Sequence, residues 1–257
     1  MHPMEETLYR YFVKLSYIGT GFHGWQVQSG APTIQQTLEE ALSLLLKEEV
    51  RLTGAGRTDT GVHARVFYAH FTTTLSPKVI ANRQLVYKSN RLLPPGIAVH
   101  EIFPVASNAH TRFHATSRTY QYYICTEKDP FWHQRAWQYE RPLDIHAMQE
   151  AAGILKEHND FSSFARSNTQ VKTNICKIHK ATWESNGHIL CFTIKADRFL
   201  RNMVRAIVGT MVDVGLKKIT PADFDLIICQ KDRQCAGYSA PAWGLYLTDI
   251  QYPYPVI

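Results

Sequence analysis

Polar and apolar positions alternate from Tyr11 to Tyr17 around Phe12, Val13, Leu15 and Tyr17, which predicts a strand. A glycine-rich loop follows, from Gly19 through Gly21 and Gly24 to Trp25. The apolar period then lengthens. Ile34, Leu38, Ala41, Leu42 and Leu45 make a helical stripe, so residues 34–47 are expected to be a helix, with Thr33 and Gln36 as a capping box. Val50 to Thr53 reads as a short strand, and Val62 to Thr74 alternates again as a long one.

Pro94-Pro95-Gly96 and the stretch around Pro104 mark the middle of the molecule. After them the order of elements recurs. Arg118 to Thr126 is expected to be a strand, Ile145 to Glu157 a helix capped by Asp144, and Ile189 to Ala196 a strand. Phe199 to Val214 is expected to be a strong helix stopped by Gly215, and Thr220-Pro221-Ala222-Asp223 opens another with proline at its first position. Gly244 to Ile250 closes the series as a strand. The recurrence implies an α+β protein with two domains of related design, residues 7–105 and 106–257.

Composition narrows the class. At 257 residues with 45% apolar and 19% charged positions, the chain can bury a sizeable core. The net charge of +6 is moderate, so clustering of the basic residues matters more than their number. Cys125, Cys176, Cys191, Cys229 and Cys235 are odd in number and form no C-x-x-C pair, which argues against a disulfide framework and a cysteine zinc site. A reducing, cytoplasmic compartment fits. Residues 1–6 are polar and partly acidic, unlike a signal peptide, and no apolar run reaches membrane-spanning length.

The chemistry concentrates in nine residues, Gly56-Arg57-Thr58-Asp59-Thr60-Gly61-Val62-His63-Ala64. A carboxylate bracketed by glycines can be presented to a ligand on a loop that passes close to it. Taken alone, Asp59 reads as a turn aspartate, which bonds to nearby backbone amides. The ordered string closely resembles the catalytic loop of the tRNA pseudouridine synthases of the TruA type, with Thr60 where alanine is frequent. The resemblance extends along most of the chain, through Trp25, the Arg118–Ile124 tyrosine strand, Asn159–Phe164, Phe199–Arg205 and Gly244–Leu247. It implies the pseudouridine synthase fold, in which two related domains form a mixed, largely antiparallel sheet with flanking helices. It also implies a homodimer that holds tRNA across both subunits and modifies uridine on the 3′ side of the anticodon arm (tRNA positions 38 to 40).

In that family the residue matching Asp59 is the catalytic acid, and the one matching Arg57 fills the gap left by an extruded base. The residue matching Tyr120 stacks on that base, the one matching Arg205 pairs with the acid, and the one matching Leu245 closes the pocket. The residue types suit these roles. A guanidinium stays charged when buried and grips a carboxylate with two bonds. Arg198, Arg201 and Arg205, spaced three and four apart, are expected to share one face of the 198–214 helix, with Gly209 one turn on permitting a close approach. A solvated basic face is the ordinary alternative, but residues 198–212 contain no acid to form surface ion pairs. Arg166, Lys172, Lys177 and Lys180 add a basic strip that could face phosphates.

The reaction implied needs no cofactor. Bond N1–C1′ of uridine breaks, the base turns over, and C5 bonds to C1′, with the carboxylate acting as nucleophile at C1′ or as base at C2′. No metal is expected: His110 and His114 have helical ligand spacing but no third ligand nearby in sequence. The chain also contains no phosphate-binding G-x-x-x-x-G-K-[ST] run. Two rivals remain at the level of sequence: an RNA-binding protein without catalysis, such as a tRNA folding factor, and a nucleosidase-like hydrolase that would release uracil.

Overall fold

The computed structural model describes residues 7–166 and 173–255. They form two compact units, residues 7–115 with 252–255, and residues 116–251. The first unit runs β1 (Tyr9–Tyr17), α1 (Ile34–Leu46), β2 (Thr53–Gly54), β3 (His63–Thr73), α2 (Pro77–Asn82), α3 (Leu85–Leu92) and β4 (Ile97–Val105). Strand β1 lies between β3 and β4 and is antiparallel to both, and β2 adds a two-residue ladder to β3. Strand β1 buries both faces at Tyr11, Phe12 and Val13, and the expected alternation holds from Val13 through Leu15 to Tyr17. The α1 stripe buries Ile34, Leu38, Ala41 and Leu42 as the spacing predicts. Each Val, Leu, Ile or Phe side chain so removed from water contributes about 1.5–3 kcal/mol.

Several local expectations change. Thr33 caps α1 by accepting the Gln36 N–H, but the Gln36 amide points to Glu40 at 2.9 Å, so this capping box is half formed. The strand expected at 50–53 is reduced to Thr53–Gly54. Helices α2 and α3 and strand β4 were not anticipated. The helices are six and eight residues long, too short to display a period, and Gln84 separates them with a left-handed φ of 52°. Pro104 masks β4 in the sequence; at the outer strand of this unit a missing N–H is tolerated.

Residues 106–115, expected at the start of the second domain, attach to the first unit. Arg10 Nη1 donates to the Ala109 carbonyl at 2.9 Å, and the Thr111 hydroxyl donates to the Thr53 carbonyl at 2.9 Å. The end of the chain returns to the same place, with the Tyr252 hydroxyl on the Thr111 carbonyl and its ring edge-on to Phe12 and Tyr68.

The second unit runs β5 (Ser117–Cys125), β6 (Trp137–Gln138), α4 (Ile145–Ile154), β7 (Ile178–Asn186), β8 (Ile189–Ala196), α5 (Met203–Gly215), α6 (Pro221–Gln230) and β9 (Leu245–Gln251). Its strands order as β9, β5, β8, β7 with antiparallel pairing, while β6 pairs parallel to β5. Helix α4 packs on α5, α6 and β7. The α+β class is thus borne out, with mixed but mostly antiparallel pairing among the described strands. Asp144 caps α4 through the Ala147 N–H, as expected. The complete capping box belongs to α6, where Thr220 and Asp223 satisfy each other's backbone N–H.

Candidate active site

In the first unit the Asp59 loop is closed by a backbone hydrogen bond. The Val62 N–H donates to the Asp59 carbonyl at 3.1 Å, closing a four-residue turn whose third residue, Gly61, has φ +80°. Beneath it lies the glycine loop after β1. A Cβ on Gly24 would overlap the Thr58 carbonyl, and one on Gly19 would overlap the Val62 carbonyl. The Trp25 N–H donates to the Thr58 carbonyl at 3.2 Å, the Gly19 N–H to His63 Nδ1 at 2.9 Å, and Tyr17 and Thr58 join hydroxyls at 2.9 Å. Thr58, Val62 and His63 are buried, while Asp59 is half-buried and Arg57 exposed. Main-chain closure and the packed glycines give Asp59 a rigid loop, which is what a functional group requires. Trp25 is 1% exposed and packs on Phe67 at 4.2 Å between centroids, so it is a structural tryptophan.

The second unit carries Arg205, Tyr120 and Leu245. The helix expected from residue 199 begins only at Met203, because Asn202 adopts φ 67° and its amide donates to the Ser239 hydroxyl at 2.5 Å. Asparagine tolerates this left-handed conformation better than most residues. The shared helical face of Arg198, Arg201 and Arg205 is therefore not formed. Arg198 and Arg201 precede the helix; the Arg198 N–H and the Lys177 N–H both donate to Asp197 Oδ1, and the Arg201 carbonyl accepts the Arg166 N–H. Helix α5 is not amphipathic either, since every residue in it except Arg205 and Asp213 is buried.

Arg205 sits in the first turn of α5. Its Nε donates to the Ala240 carbonyl at 2.7 Å, and the Ala240 N–H donates to the Arg205 carbonyl at 2.9 Å. Gly209, one turn on, is the close-approach position expected of it: a Cβ there would overlap the Tyr238 carbonyl. On β5, Tyr120 is half-buried and meets the Phe199 ring edge-on at 5.1 Å, a neighbour that the sequence reading did not single out. Two residues along, Tyr122 is fully buried and donates to the Pro241 carbonyl at 2.8 Å. Burial pushes its hydroxyl well above the usual tyrosine range, opposed by the Arg205 guanidinium. Leu245 is buried and pairs in register with Tyr122. A Cβ on the preceding Gly244 would press on the Tyr122 ring at 2.6 Å, so glycine is needed there.

Of the basic strip, Arg166, Lys177 and Lys180 are exposed, and Lys172 lies outside the described residues. His110 Nδ1 accepts the N–H groups of Arg112 and Phe113 at 3.1 and 3.3 Å, so this imidazole serves a turn. The Asn159–Phe164 segment is a scaffold: Phe161 and Phe164 are fully buried, and Asp160 takes both the N–H and the hydroxyl of Ser162. No helix is long and apolar enough to cross a membrane among the described residues.

Residues 151–253 match the family model described as tRNA pseudouridine synthase. The protein named tRNA pseudouridine synthase A of Parabacteroides distasonis is 50% identical over 246 residues, covering 95% of this chain and 96% of that protein. Its namesake in Bacteroides fragilis is 48% identical over 245 residues, covering 95% and 96%. The namesake in Caldicellulosiruptor bescii is 38% identical over 240 residues, covering 93% and 97%.

Proposed function

The chain belongs to the tRNA pseudouridine synthase A family, and on that premise we propose that Asp59 is the carboxylate that opens the glycosidic bond of a uridine in the anticodon arm of tRNA. The enzyme is an isomerase that converts uridine in tRNA to pseudouridine. Bond N1–C1′ breaks, C5–C1′ forms, C5 gives up its proton and N1 gains one, so atoms and charge balance without a second substrate. Asp59 acts at C1′ as nucleophile or at C2′ as base.

The other roles follow from residue chemistry. Arg205 holds Asp59 ionised and oriented. Tyr120 stacks on the flipped uracil, Leu245 closes over it, and Arg57 fills the vacated position in the RNA. Flipping costs a few kcal/mol, about what one stacking contact and one phosphate grip supply. Arg198, Arg201 and the basic strip bind the phosphate backbone, which makes binding salt-sensitive. The working form is a cytoplasmic homodimer with one tRNA across both subunits.

The observation that carries the proposal is the Asp59 turn, closed by main chain at Val62 and braced from beneath by Gly19 and Gly24, which gives the acid a rigid loop. The test is Asp59→Ala with tRNA labelled by tritium at uridine C5. Binding is expected to persist while tritium release disappears. Full release by the variant ends the proposal. Free uracil in the products of the unmodified enzyme would show a hydrolase instead.

A further inference from the structure

In the second unit, α6 and the loop before Asp160 bring three different donor groups together. His158 Nε2 lies 2.6 Å from Asp225 Oδ1, and the Cys229 thiol completes a set whose ligand atoms all fall within 4.8 Å of one another. Asp225 and Cys229 are one helical turn apart on α6. Phe224 and Ile228, each one residue earlier, are buried, so that face of the helix is pinned to the core. His158 follows the short 3-10 turn Leu155–Glu157, in which Leu155 is fully buried.

The mounting on both sides is rigid. The Asn159 carbonyl accepts the Cys176 N–H at 2.8 Å, and the Phe161 N–H donates to the Asn174 carbonyl at 3.2 Å. Next door, Lys231 is paired with Asp160 at 3.1 Å, which leaves Asp225 as the carboxylate facing His158. Phe164 stacks on Phe224 at 5.8 Å and ties the loop to the helix from below.

We propose that His158, Asp225 and Cys229 form a mononuclear site for a zinc-class divalent cation, with water as the fourth ligand. One imidazole, one carboxylate and one thiolate make a set of mixed softness suited to zinc or cobalt in a tetrahedron and unsuited to magnesium or calcium. Bonds of about 2.0–2.3 Å place tetrahedral ligands about 3.3–3.7 Å apart. The His158–Asp225 contact therefore opens by under about 1 Å as the cation replaces the proton between them. The neutral imidazole then carries its one proton on Nδ1, and Cys229 gives up its thiol proton to solvent. The ion clips α6 to the 158–161 loop.

The test uses the full chain, stripped with a chelator and titrated with cobalt(II) and then zinc(II). One equivalent of cobalt is expected to bind with an intense tetrahedral d–d spectrum and a thiolate charge-transfer band, both abolished by zinc. Cys229→Ser should lose the band, and His158→Gln should lose the stoichiometric ion. Both variants should match the unmodified chain in circular dichroism when metal-free. Two results overturn the site: no thiolate band in the unmodified chain, or a band that survives Cys229→Ser.

Discussion

Arg205 and Ala240 hold each other twice, once through the arginine side chain at 2.7 Å and once through the backbone at 2.9 Å. The pair fixes the stem of the guanidinium before any ligand arrives. Lysine reproduces this poorly, because its compact ammonium has no planar fork that anchors through Nε while presenting parallel N–H groups to a carboxylate. Arg205→Lys is expected to lower the single-turnover rate of pseudouridine formation by roughly 10²–10³, the usual cost of losing a preorganised electrostatic partner. Affinity for tRNA should change little. A rate within a few-fold of the unmodified enzyme would remove Arg205 from the chemistry.

Gly24 bears on both stability and catalysis. Its φ of +81° is strained for alanine, and a Cβ there meets the Thr58 carbonyl directly. Gly24→Ala is expected to cost about 1–3 kcal/mol in urea unfolding. It should also lower activity further than the unfolded fraction explains, because the displaced residue adjoins Asp59. Gly21→Ala is the control: φ is also positive at +84°, but nothing lies within 4 Å of the added carbon. Equal activity losses in both variants would mean that contact with Thr58 does not matter.

Tyr120 separates ring from hydroxyl. Its edge-on contact with Phe199 orients a flat face, which is what base stacking needs. Tyr120→Leu is expected to weaken capture of the flipped uridine by about 1–3 kcal/mol, whereas Tyr120→Phe should keep that stacking. Pre-steady-state measurement of uridine capture and turnover by both variants distinguishes the two contributions. A Phe variant as impaired as the Leu variant would move the role from the ring to the hydroxyl.

What the sequence disclosed and what it withheld divide along physical lines. The Asp59 loop was legible because its glycines, turn and acid are contiguous. The stripes of β1 and α1 were legible because burial imposes their period. The start of α5 was not, since Asn202 takes a left-handed φ through a bond to Ser239, far along the chain. The contact of Gly24 with Thr58 was hidden for the same reason, because only the folded chain brings two loops together. Gly209 was partly legible: its spacing announced a close approach, but not that Tyr238 makes it. Burial also overruled amphipathicity in α5, where the lack of an acid before Asp213 reflects a core helix.

His70 gives the fold a pH dependence of its own. It is 6% exposed on β3, with Nδ1 2.8 Å from the Thr111 hydroxyl and its ring 4.7 Å from that of His110. Burial lowers its pKa from 6.5 to about 4, and the charges of His110 and Arg10 push the same way. The folded chain therefore resists protonation that the unfolded chain accepts. The contribution of His70 to stability is complete above pH 6.5, declines as pH falls from there toward 4, and changes no further below. The amount lost is on the order of 3 kcal/mol. His70→Asn removes the titrating group, so although the variant is less stable at neutral pH, its urea midpoint should fall less steeply between pH 7 and 4.5. Parallel slopes for the two proteins would show that the ring is protonated in the folded state without penalty, and that Thr111 and the surrounding core do not hold it neutral.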